Sequence, residues 1–133
     1  MTQLTQSVRL EFADDIALIR IDNPPVNALS HHVRQGLLDG MKQAESSEAS
    51  AIVLICDART FIAGADITEF SGPPMPPSLQ SAQDAMENCT KPVVAAVHGT
   101  ALGGGLEVAL CAHYRVGSPS SQYGLPEVKL GLL

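Results

Sequence analysis

The chain has 133 residues, 45% hydrophobic and 17% charged, enough apolar content to bury a core within the size range of one compact domain. Its net charge of -6 and pI near 5.0 argue against a nucleic-acid partner, because the eight Lys and Arg are scattered and an acidic surface repels phosphate backbones. No window reaches the ~18 apolar residues of a membrane span, and Met1-Thr2-Gln3-Leu4 does not open a leader with a basic region, an apolar stretch and a cleavage site, so the expected location is the cytoplasm.

Alternation over 8–12 and the apolar run 16–21, separated by Ala13-Asp14-Asp15, predict two strands joined by a tight acidic turn. Asn23-Pro24-Pro25 stops the second strand. Ser30 is a candidate N-cap for a helix through about Ala44, with Val33, Leu37, Leu38 and Met41 at helical spacing. The run 51–56 is continuously apolar and rich in β-branched residues, as in a strand covered on both faces. A loop over 57–60 follows, then small residues from Phe61 lead into a short helix ending near Phe70. Four prolines within 73–77 cannot continue a helix or join a central strand, so 71–77 is a surface loop.

A helix is expected from Ser78 to about Asn88, and a second buried strand over 92–97 with Pro92 at its first position. The segment 98–102 reads as a turn leading to Gly103-Gly104-Gly105 and an apolar helix from Leu106 to about Ala112. A short strand over 114–117, a turn over 118–121 and an apolar run from Leu125 to Leu133 complete the chain. The strand-then-helix rhythm makes this an α/β protein.

Cys56, Cys89 and Cys111 are odd in number and lack C-x-x-C spacing, which reads as reduced thiols. His31, His32 and His113 have no metal-ligand partners at recognisable spacing, and no metal is expected. His98, beside the glycine turn, reads as a local structural histidine.

Three glycines before a helix leave backbone NH groups accessible at the positive end of its dipole, where an anion can be held. The pattern is not G-x-G-x-x-G, because Val108 takes its last position, and no Lys-Ser/Thr follows as in a P-loop, so nucleotide binding is not expected. Glu107 lies in the first turn of that helix among Leu106, Val108, Ala109 and Leu110. Desolvation there would raise its pKa while the helix terminus lowers it. Glu127 follows Pro126 on a predicted loop. Spacing leaves two readings open: the two carboxyls converge for acid and base work, or Glu107 merely complements the helix dipole and Glu127 is solvated.

Phe61-Ile62-Ala63-Gly64-Ala65-Asp66-Ile67, then Val97 through Gly103-Gly104-Gly105-Leu106-Glu107, then Gly124-Leu125-Pro126-Glu127-Val128-Lys129-Leu130-Gly131 resemble, in order, the three signature segments of the crotonase, or enoyl-CoA hydratase/isomerase, superfamily. The stretch 23–29 is also similar. The segment 125–133 looks closest to the hydratase region of multifunctional β-oxidation enzymes, in which a 3-hydroxyacyl-CoA dehydrogenase follows. The resemblance implies a crotonase-like ββα spiral, with 1–133 as the amino-terminal part of a carboxy-terminally truncated domain.

By the same resemblance, the NH groups of Ala65 and Gly104 would form an oxyanion hole for a thioester carbonyl, where small residues permit close approach. Glu107 and Glu127, 20 positions apart (127 minus 107), would share the water added to C3 of a trans-2-enoyl-CoA, with Glu127 giving a proton to C2. Ala63, Asp66 and Ile67 match the stretch beside the adenine end of CoA, Asp66 being equally suited to N-cap the next helix. Members that only move a double bond keep the second carboxylate and lack the first, so the pair implies hydration. Isomerase activity, or an inert fragment serving as an assembly piece, are the alternatives. The implied partners are an acyl-CoA substrate and, for a complete domain, further copies of itself; no cofactor is expected beyond the CoA that the substrate carries.

Overall fold

The computed structural model describes residues 1–64, 69 and 72–126. The chain begins with three strands, β1 (Thr2–Thr5), β2 (Val8–Ala13) and β3 (Ile16–Ile21), followed by helix α1 (His31–Ser46) and strand β4 (Ala51–Cys56). Helix α2 (Leu79–Glu87), strands β5 (Val93–Val97) and β6 (Thr100–Leu102), helix α3 (Gly104–Cys111), and strands β7 (Tyr114–Gly117) and β8 (Gln122–Gly124) complete the order.

The main sheet runs β1-β2-β3-β4-β5-β7. Its first three strands are antiparallel, with Asp14 at φ 54° in the expected acidic turn, and the rest are parallel. A second sheet pairs β6 with β8 in parallel, extended by a bridge from Ala63 to Leu102. Successive passes therefore send one strand to the large sheet, the next to the small one, and return through a helix. This is the ββα winding that the resemblance implies.

Burial follows the pleat. Ala17, Ile19 and Ile21 of β3, Ile52, Leu54 and Cys56 of β4, and Val93, Ala95 and Val97 of β5 face one side. There they meet Val33, Leu37, Met41 and Ala44 of α1, Ala82 and Met86 of α2, and Val108 and Ala109 of α3 in one core. Gly36 lets α1 close on β2, because a Cβ there would lie 2.4 Å from Val8 Cβ.

The structure corrects several expectations. The continuous apolar runs of β4 and β5 are buried on one face and only half-buried on the other, since the helices cover a single side of the sheet. Pro92 lies outside β5, where its carbonyl accepts from Ile52 N at 2.9 Å. The expected turn 98–102 contains β6, and α3 begins at Gly104 instead of Leu106. Strands β1 and β8 fall where no element was expected, because polar and aromatic residues without an apolar face give no period-2 signal. Ser30 caps α1 with its backbone only; the carboxylate of Glu69, 38 positions away, accepts from His31 N at 2.8 Å. Ser78 does cap α2, accepting from Ser81 N. The short helix expected before Phe70 lies mostly outside the described residues.

Candidate active site

Three distant segments meet at the amino end of α3. Leu102 N donates to Ile62 O (3.2 Å), beside the Ala63–Leu102 bridge, which brings the 61–64 segment to β6. Gly103 N donates to Gly124 O (2.9 Å), which ties the end of β8 to the same place. Glu107 stands one turn into α3, its amide donating to Gly103 O at 3.0 Å.

The glycines have separate tasks here. Gly103 has φ 56°, in the left-handed region that favours glycine, and turns β6 into α3. Gly105 packs directly on the chain: an added Cβ would sit 1.9 Å from Ile62 O. Gly104 is half-buried, and its Cβ position faces the ends of Leu29 (2.8 Å) and Leu79 (3.4 Å). As the first residue of a helix its NH has no intrahelical acceptor, which leaves it available to a ligand oxygen.

The 60–64 segment is fastened from several directions. Asn27, fully buried with φ 54°, donates through Nδ2 to Asp57 O (3.0 Å) and Thr60 O (2.8 Å) and accepts from Asn23 N at Oδ1 (2.7 Å). Thr60 Oγ1 donates to Thr100 O and accepts from Thr100 N. Ala63 N donates to Val26 O (3.0 Å), and Leu29 N to Gly64 O (3.2 Å). Gly64 has φ 103° and immediately precedes Ala65 in the chain.

Of the residues singled out in the sequence, Glu107, Gly104 and Ala63 are therefore brought to one end of α3. Ala65, Asp66, Ile67 and Glu127 lie outside the described residues; Gly64, which precedes Ala65, accepts from Leu29 N, and Gly124, three positions before Glu127, accepts from Gly103 N. Glu107 departs from the expected apolar setting. It is exposed, as is Leu110 at 58%, because only Val108, Ala109 and Gly105 of α3 turn into the core. Reading the sequence did not single out Leu29, Leu79, Arg34 or Glu69. Asn27 lay within the similar stretch 23–29, but its role needs the buried carbonyls of Asp57 and Thr60, which no local pattern reveals.

His98 donates from Nε2 to Ala58 O (2.8 Å), a structural use, as expected. Cys111, one turn along from Glu107, has its thiol pushed up to about 12 by burial and by its hydrogen bond to Glu87, and burial also pushes the Cys56 thiol up. Neither is poised as a thiolate nucleophile. Among the described residues, no three His, Cys, Asp or Glu side chains cluster to hold a metal ion. No described helix is long and apolar enough to cross a membrane.

Known proteins resemble this arrangement. The enoyl-CoA hydratase/isomerase family model matches residues 11–133. The peroxisomal bifunctional enzyme of Danio rerio is 50% identical over 119 residues, covering 89% of this chain and 17% of that protein. A peroxisomal fatty acid beta-oxidation multifunctional protein of Arabidopsis thaliana is 43% identical over 129 residues, covering 90% and 18%. The crystal structure of enoyl-CoA hydratase from Thermoplasma volcanium superposes with a TM-score of 0.85 at 29% identity, over 96% of this chain and 54% of that one. The chain thus spans less than a fifth of the two multifunctional relatives and about half of the structural neighbour. It adopts a crotonase fold over that span, and it belongs to the enoyl-CoA hydratase/isomerase family.

Proposed function

We propose that this chain carries the hydratase chemistry of its family, adding water across the 2,3 double bond of a trans-2-enoyl-CoA to give a 3-hydroxyacyl-CoA in fatty-acid β-oxidation. The observation that carries the reading is the meeting of the 61–64, 102–107 and 122–124 segments at the start of α3, where Gly103 N bonds Gly124 O. The thioester oxygen would accept from the amides of Ala65 and Gly104, so that charge building on it as C3 is attacked is met by fixed donors. Glu107 and Glu127 would orient the water, Glu107 as base and Glu127 as the donor of a proton to C2. Ala63, Asp66 and Ile67 would border the adenine end of CoA. The chemistry needs no cofactor beyond that CoA, and further copies of the chain are the expected assembly partners.

The reaction is followed by the loss of enoyl absorbance on adding crotonyl-CoA to the purified chain. Glu107→Gln and Glu127→Gln are each expected to lower kcat by about 100-fold or more, the usual worth of a positioned acid or base. Turnover untouched by either substitution would end the two-glutamate reading; double-bond migration without hydration would favour isomerisation. A second reading, an inert assembly piece, is favoured by the exposure of Glu107 and of Tyr114 and Val116 on β7, and it predicts no turnover at all. For compartment, the cytoplasm expected from the sequence competes with the peroxisomal names of relatives, and imaging of a tagged chain decides between them.

A further inference from the structure

The first turn of α1 grips a segment far away in sequence. Arg34 donates from Nη1 to Glu69 Oε1 (2.8 Å) and Leu29 O (2.8 Å), from Nε to Pro77 O (3.0 Å), and from Nη2 to Met75 O (2.9 Å). His31 adds Nε2 to Pro76 O (2.9 Å), so three consecutive carbonyls of the proline loop are held by two side chains of α1. Glu69 receives Arg34 on one oxygen and the His31 amide on the other. The ion pair is largely shielded, with side-chain exposures of 13% and 17%.

This grip has a partner. Upstream, Ala63 and Gly64 are bonded to Val26 and Leu29, only a few residues before His31. Both ends of the 64–69 stretch are therefore tied to one short piece of chain at the start of α1. Leu29, whose amide donates to Gly64 O, also accepts from Arg34, so the grip reaches the segment of Ala63, a residue proposed above to border CoA.

We infer that Arg34 and Glu69 are positioning residues for acyl-CoA binding: their ion pair, with the carbonyl bonds of Arg34, ties Glu69 and the 75–77 carbonyls to the start of α1 in the binding-competent arrangement. This rests on the acyl-CoA reading of the site. Arg34 is suited to the task because its planar fork serves four acceptors at once, which a lysine could not.

The test uses the 133-residue chain with butyryl-CoA, a saturated thioester that cannot be hydrated. Affinity is measured by calorimetry, and hydrogen exchange is followed at the amides of His31 and Gly72, which donate to Glu69, and over β4 and β5. Arg34→Gln is expected to quicken exchange at His31 and Gly72, leave β4 and β5 protected, and weaken butyryl-CoA about tenfold, as when the competent arrangement is populated a tenth of the time. Should Arg34→Gln fail to fold, Glu69→Gln carries the test, since it keeps an oxygen for the His31 amide and removes only the charge. Faster exchange with butyryl-CoA affinity within twofold of wild type would reduce the pair to a loop fastener and overturn the inference alone. Failure of the wild-type chain to bind butyryl-CoA would overturn the acyl-CoA reading and the inference with it.

Discussion

Gly105 and its neighbour Gly104 look alike in sequence, but their surroundings give opposite expectations for the same methyl group. At Gly105 a Cβ would meet backbone, 1.9 Å from Ile62 O and 2.7 Å from Ile62 C, and neither α3 nor the 61–64 segment can yield without breaking the Leu102–Ile62 bond. Gly105→Ala should therefore cost about 3 kcal/mol, the upper end of overpacking, read as a lowered urea midpoint. At Gly104 the nearest atoms are the movable ends of Leu29 and Leu79. Gly104→Ala should cost about 1 kcal/mol or less, because side-chain ends can rotate aside. Equal losses would mean that α3 is not seated on the Ile62 backbone. The glycines thus divide two roles, close packing at one position and an open amide at the next.

Among elements, those with a strong period were legible and those made by long-range partners were not. Helix α1 was readable from Val33, Leu37 and Met41, and β3 and β4 from apolar runs that pair in parallel register, Ile16 with Ala51 through Ile21 with Cys56. The paired strands β6 and β8 are three residues each, too short to carry a period, and exist because Gly103, Gly99 and Ala63 bond around them. The glycine turn and Glu107 were visible as motifs; the grip of Arg34 on residues 75–77 was not, since it spans more than forty positions. The outer sheet face was equally hidden. There Arg9 and Arg20 bridge Glu11 and Asp57, linking β2 and β3 to the residue after β4. The hydrogen bond from Arg9, helped by Arg20, holds the Glu11 carboxyl below its ordinary value of 4.5. A carboxyl lowered in the folded state binds protons less readily than in the unfolded chain. Its contribution is therefore complete above about pH 5 and is lost as pH falls through the lowered folded value. Thermal unfolding of Glu11→Gln should lie below wild type at pH 6 and converge with it under acid conditions. A constant gap at every pH would assign the loss to packing and not to charge.

For the whole molecule, the main sheet has an edge that the described elements leave uncovered. Strand β7 bonds only β5 among them, and all four of its residues are exposed, with Tyr114 and Val116 at 63% each. Leu110 and Tyr123 are exposed as well. An edge strand with apolar side chains and free backbone groups is a template for pairing with another chain, and charged residues are the usual means of blocking it. The net charge of -6 opposes association of the chain as a whole, so charge and edge pull in opposite directions. Val116→Lys and Val116→Glu separate them, because the first reduces the net charge to -5 and the second raises it to -7. If the edge governs association, both variants sediment as smaller species than wild type at equal concentration, while unfolding stability stays within about 0.5 kcal/mol, as for other exposed sites. If overall repulsion governs it, Val116→Lys associates more than wild type and only Val116→Glu associates less. The edge is expected to decide, because backbone pairing acts at contact distance, where a buried lysine is costly, whereas one charge in six is screened within about 8 Å at physiological salt.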